Sequence, residues 1–246
     1  MLQNTVLLAN FRDMVYNEDK AKYMNHKRRI PMKDILANIR KPETITNKPA
    51  SIACLGGFLL LGIVLGAFSK WLDNLALDST IWWHTILEKL DLGNVFSEFP
   101  VWLLLALCIA LFSKTPVKAA VNTFLFFAGM CVIYHIYTVF FSGFNPMQYM
   151  MIWYGITLVS PLLAVVCWYG KGEHIVSIVI DTLIVAVFTM FCFSIGWIYF
   201  AFNGILNALI FLAAGIVLYK NPKQIAIAEL AGVVLAFLLR PLLPIG

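Results

Sequence analysis

The chain has 246 residues, 61% of them hydrophobic and only 13% charged, with a formal net charge of +5. Soluble domains run at about 45–50% apolar and about 25% charged, so a water-solvated globule is excluded and lipid is the expected solvent for most of the chain. The basic excess is small and interleaved with Glu18, Asp19, Asp34 and Glu43, which points to an anionic membrane surface and away from nucleic acid.

In chain order, "MLQNTVLLANFRDMVYNEDK" does not read as a signal peptide. It has no basic start, and Asn10, Arg12 and Asp13 interrupt its apolar stretch. The first span after residue 49 is then the uncleaved insertion signal. Residues 1–49 read as a cytosolic basic arm. Within it, Met32, Ile35, Leu36 and Ile39 share one helical face. Lys33 and Arg40 lie off that stripe, and Lys27, Arg28 and Arg29 precede it, as in a helix lying on an anionic inner leaflet.

Residues 50–246 read as an all-α membrane bundle of about seven transmembrane helices, since a span needs about 17–25 residues. The spacing predicts them near 50–69, 95–112, 118–141, 147–169, 175–200, 204–219 and 224–241, with the second, sixth and seventh short. Pro161 falls inside the fourth, where it should kink the helix and free a backbone carbonyl near Ser160. Between the first two spans, "DSTIWWHTILEKL" predicts a short surface helix capped by Asp78 or Ser79. Trp82, Trp83, Ile86, Leu87 and Leu90 form its apolar face, opposite His84, Glu88 and Lys89. Lys114, Lys118, Lys171, Lys220 and Lys223 fall in alternate loops with the basic arm. By the positive-inside rule the N-terminus is cytosolic and the C-terminus outside. The turns in "LFSKTPVKAA" and "LYKNPKQIAI" both carry K-x-P, a weak internal repeat of the kind found in transport folds.

Asp181 stands alone in an apolar run. At 100° per residue it shares a face with Ser177, Thr189, Cys192 and Gly196, against Leu183, Val187, Met190, Phe191 and Trp197. The small polar face should point into the bundle and the bulky one into lipid. On the last span Glu229 shares a face with Ala226, Gly232, Ala236 and Arg240, and Gly232 with Ala236 permits close helix approach. Asp181, Glu229 and Asn122 fall at similar depth and are candidates for a cytosol-facing site. His135, Glu98, Arg240, Asn203 and Asn207 are candidates for an outer polar layer. Intramembrane ionisable residues mark ion, proton or substrate pathways. The competing reading is structural: Lys171, Lys220 or Lys223 reach the two carboxylates and anchor them. Gly56, Gly57, Gly62 and Gly66 suit close packing, inside the bundle or between subunits. The five cysteines sit in apolar runs without C-x-x-C spacing and read as packing residues.

No P-loop, H-E-x-x-H or G-x-S-x-G occurs, and "FSGF" lacks the second glycine of the last. An enzyme is not indicated, and no cofactor or metal is implied. The stretches "SEFPVWLLLALCIALFSK" and "FSGFNPMQYMMIWYGITLVSPLLAVVCWYG" (97–114 and 141–170), within a likeness that spans roughly residues 95–170, resemble small multi-pass proteins of uncharacterised bacterial families. The resemblance implies a bacterial inner-membrane protein and carries over no functional residues. The expected function is binding or transport of a small solute or ion. The alternative is a non-transporting scaffold or accessory subunit, or a homo-oligomer, docking through the N-terminal arm and the glycine-rich first helix.

Overall fold

The computed structural model describes residues 32–44, 48–76, 78, 80–196 and 199–240. The chain divides between Asn38 and Ile39 into two units. Lys27, Arg28 and Arg29 lie outside the described residues. Helix α1, Met32–Ile39, covers the segment whose 3.6-residue spacing predicts a helix.

The larger unit is a multi-pass, all-α membrane bundle. Its helices are α2 (Lys48–Asp73), α3 (Trp82–Lys89), α4 (Leu92–Ser97), α5 (Phe99–Phe112), α6 (Pro116–Tyr137), α7 (Met147–Gly170), α8 (Ile175–Cys192), α9 (Ile205–Leu218) and α10 (Pro222–Leu239). A π turn, Thr138–Ser142, prolongs α6. Five stretches are long and apolar enough to cross a bilayer: Ala53–Asp73, Pro116–Ser142, Met147–Gly170, Ile175–Cys192 and Pro222–Leu239. The other two predicted spans are the 14-residue helices α5 and α9. At 1.5 Å per residue each reaches about 21 Å, short of a hydrocarbon core of about 30 Å.

Burial runs inverse to that of a water-soluble bundle. On α7, Met150, Trp153, Thr157, Ser160, Ala164 and Trp168 are buried, whereas Leu158, Leu162, Leu163 and Val166 face outward. Outward leucine costs nothing in lipid, and the inner stripe carries the small and polar groups that hold helices together there. Pro161 has no N–H for the Thr157 carbonyl. The Ser160 hydroxyl donates to that oxygen at 2.8 Å instead, so α7 continues unbroken through the proline.

Two close pairs organise the bundle. In the first, Gly62 and Gly66 of α2 lie on the backbone of α6 around Phe126 and Met130, and Gly129 of α6 faces Leu59 and Ile63. Contacts advance together along both helices, so α2 and α6 run parallel. In the second, Gln224, Ala228, Gly232 and Ala236 form the buried edge of α10. Gln224 meets Asp181, Gly232 meets Thr182 and Val185, and Ala236 packs with Ala186 and Met190. Thus α8 and α10 are parallel too. The two K-x-P turns fold alike: Thr115 and Asn221 cap α6 and α10 by accepting from Lys118 N–H and Gln224 N–H, each with proline at the helix start.

Four expectations need correction. The fifth span stops at Cys192, not 200. The chain turns into a two-stranded antiparallel hairpin, β1 (Phe193–Ile195) and β2 (Phe200–Phe202), with Phe193 opposite Phe202. Strand pairing satisfies the backbone that a helix would otherwise satisfy, and Phe193 stacks on Phe200 with ring centroids 4.3 Å apart. Met190, expected on the lipid face, is buried, because α8 is covered on more than one side; Ser177, Asp181, Thr189 and Cys192 are fully buried and Leu183 and Val187 exposed, as the periodicity predicts. In the surface segment, α3 begins after Ile81 without a side-chain cap. Asp78 instead accepts from the Thr80 N–H and hydroxyl, which holds its carboxyl below the usual range. His84, expected on the polar side, is buried edge-on to Trp83 and accepts from the Asp78 N–H at 2.8 Å.

Candidate functional site

The loops after α5, α7 and α9 meet at one end of the bundle, which carries Lys114, Lys171 and Lys220. Helix ends expose carbonyls that need donors. Arg40 supplies two: Nη1 donates to the Trp168 carbonyl at 2.7 Å and Nη2 to that of Leu111 at 3.1 Å, with the guanidinium 4.1 Å over the Trp168 ring. It thereby ties the ends of α5 and α7. Trp168 Nε1 donates to Ser113 O, and Asn122 Nδ2 to Ser113 Oγ. Burial pushes the Arg40 guanidinium down from its ordinary value, with Glu43 opposing, but an arginine there stays charged. A lysine replaces two spaced donors by one nitrogen and loses the planar stacking on Trp168. Arg40→Lys is expected to lower stability by about 1–2 kcal/mol, read as an earlier thermal melt in detergent.

Asp181, with no exposed surface, is met from α10 and the loop before it. Lys220 Nζ lies 3.0 Å from Oδ2 and 2.9 Å from the Gly172 carbonyl, and Gln224 Nε2 donates to the same carboxylate oxygen. Gly170 has room for only a hydrogen where the other oxygen comes close. The carboxylate is thus neutralised locally, and of the three lysines named from the sequence it is Lys220 that reaches it. Asp181 and Asn122 bond to different partners. Glu229 lies against Gly215 of α9 and makes no hydrogen bond or ion pair among the described residues. The three do not share a hydrogen-bond network. Gln224 was missed by sequence reading; its position on the small edge of α10, four residues before Ala228, is the signal that was available.

The outer candidates are likewise dispersed. His135 Nδ1 and Tyr154 Oη are 2.6 Å apart between α6 and α7. Asn207 Nδ2 lies 3.4 Å from Glu98 Oε2, joining α9 to the start of α5. Asn203 caps α8 by donating to the Phe191 and Cys192 carbonyls. Arg240 Nη1 is buried without a partner among the described residues.

A large open volume lies elsewhere, at the end opposite the basic loops. A cavity of about 710 Å³ is lined by Lys70 of α2, Ser97, Tyr134, Thr138 of the π turn, and the segment Phe144–Tyr149. Tyr134 Oη and Ser97 Oγ each donate to Asp73 at 2.9 Å. Lys70 lies 3.5 Å from the same carboxylate and over the Tyr134 ring at 5.1 Å. Beyond Ser97, a second cleft of about 370 Å³ is walled by Asp73, Glu88 and Asp91. One wall is therefore cationic and the neighbouring one acidic. π turns inside helices cluster at functional sites; here the turn swings Thr138 to the cavity before the left-handed Gly143 (φ 73°) reverses the chain. No family model, curated protein or solved structure matches this chain, so function is read from this geometry alone.

Proposed function

We propose that the protein binds a small organic solute in the cavity at the end away from its basic loops, as a solute-binding or transport protein of the membrane. The cavity carries this reading. Its volume falls within the range of about 300–1,000 Å³ typical of small-molecule sites, and it has the expected mix of aromatic wall and few polar groups. Seven passes are part of this reading, supported by helix direction: α2 and α6 run parallel, as do α8 and α10, which suits α5 and α9 as the return passes between them. With lysines retained on the cytosolic side, the N-terminus is cytosolic and the cavity faces outward, in a bacterial inner membrane. Asp181 with Lys220 then closes the cytosolic end as an anchor rather than a ligand. The accessory-subunit alternative would have to dock through the N-terminal arm, Gly56 and Gly57, since Gly62 and Gly66 pack on α6.

Native mass spectrometry of protein gently extracted from its own membrane tests the reading. A reproducible extra mass of a few hundred daltons is expected on the wild type. Gln148→Trp, which fills the cavity from the exposed start of α7, should remove it. Wild type that carries no such mass, or a mass retained by the filled variant, overturns the assignment.

A further inference from the structure

We infer that the cavity's ligand is an organic anion, its carboxylate or phosphate oxygens held by Lys70 Nζ and its apolar body laid against Tyr134, Phe144 and Tyr149. This rests on the cavity being a solute site and adds the chemical class. Lys70 is the one charged residue on the lining among the described residues. Its side chain is only 8% exposed, yet its nearest anionic oxygen is Asp73 Oδ2 at 3.5 Å, beyond the ordinary N–H···O range of about 2.7–3.2 Å. Asp73 is already held by Tyr134 and Ser97. The rings of Tyr134 and Phe144, 5.1 and 5.8 Å from Nζ, attract its charge but accept none of its N–H groups in ordinary hydrogen bonds. Its ammonium therefore keeps N–H donors free toward the open cavity, where the oxygens of an anion can accept them. The cavity it borders has room for such an acceptor.

The alternatives match less well. A cationic solute would bring a second positive charge against Lys70. A bare inorganic anion would leave the aromatic wall and most of the volume unused. Two sources share the favoured chemistry: a free amphiphilic acid, or the phosphate of an anionic lipid. The outward Phe140 and Phe141, 79% and 75% exposed beside Thr138, put the bilayer next to the cavity.

The probe is octanoate, titrated calorimetrically into the full chain held in phosphatidylcholine nanodiscs, with octanol as its neutral counterpart. Saturable octanoate binding is expected, at least tenfold weaker in Lys70→Met and retained in Lys70→Arg. Asp73→Asn removes the competing carboxylate and should tighten octanoate several-fold, so a poorly folded Lys70→Met does not decide the matter. Competition by phosphatidylglycerol added to the nanodisc supports the class with lipid as its source; undiminished binding supports it with a free acid. The inference is overturned if octanoate fails to bind, if octanol binds as well, or if Lys70→Met and Asp73→Asn both leave affinity unchanged. Octanol binding that Gln148→Trp abolishes would sink the anion while leaving the cavity as a solute site; binding that Gln148→Trp does not alter would sink both.

Discussion

Lys220→Met is expected to destabilise the protein far more than Asp181→Asn, although the two residues form one pair. Removing the lysine leaves a carboxylate with no exposed surface and only Gln224 for company. Breaking a buried pair in this way costs about 3–5 kcal/mol in folded proteins. Removing the carboxylate charge is milder. Lys220 is 17% exposed and sits at the basic end, where it can turn to water, and it keeps the Gly172 carbonyl. Asp181→Asn should therefore cost about 1 kcal/mol, the scale of a lost hydrogen bond. The double variant, with no charge left to bury, should recover most of what Lys220→Met loses. Unfolding free energies in bicelles give the cycle. Equal single effects, or a double variant worse than Lys220→Met, would show that the pair does not anchor α8 to the loop before α10.

That pair also shows how far the sequence could be read. A carboxylate in an apolar run must be paired, and a 100° projection put it on the correct face with Ser177, Thr189 and Cys192. Projection finds one face, however. Helix α8 is packed by α7, α9 and α10, so Met190 is buried where a single stripe predicts lipid. The hairpin at 193–202 was hidden for another reason. "FSIGWIYFAF" is apolar and aromatic apart from Ser194, and such a run reads equally as strand or helix until pairing decides it. The cavity was hidden because its wall comes from segments far apart in sequence: the end of α2, Ser97, the end of α6 and the start of α7. Lys70 alone reads as a loop charge. Its meaning comes from Tyr134 and Phe144, which lie on and after α6, far from it in the sequence.

The glycines of α2 were legible as a group but not one by one, and they give a sharp comparison. A Cβ on Gly62 would fall on the Phe126 carbonyl of α6, and one on Gly66 would meet Met130 and Ile133. The Phe126 obstacle is backbone, which cannot rotate away. Gly62→Leu must push α2 off α6, and should cost more than the ~1–3 kcal/mol of ordinary overpacking. In lipid no hydrophobic force closes helices again once their packing is lost. Because Ser69 and Lys70 of α2 lie within two turns of Gly66, displacement of the helix should also open the Lys70–Tyr134 wall. Gly56 and Gly57, one and a half turns earlier, have nothing within 4 Å of the same position. There an alanine adds helix propensity worth up to ~1 kcal/mol and meets no neighbour. Thermal melting of the variants in one detergent makes the comparison. Gly56→Ala and Gly57→Ala should melt at or above wild type, and Gly62→Leu well below it with little folded protein recovered. A Gly62→Leu that melts with wild type would mean that α2 and α6 are not in backbone contact. Loss of stability at Gly57→Ala would instead mean that a second surface covers the outer glycines, the one result that would return the first helix to a role in docking.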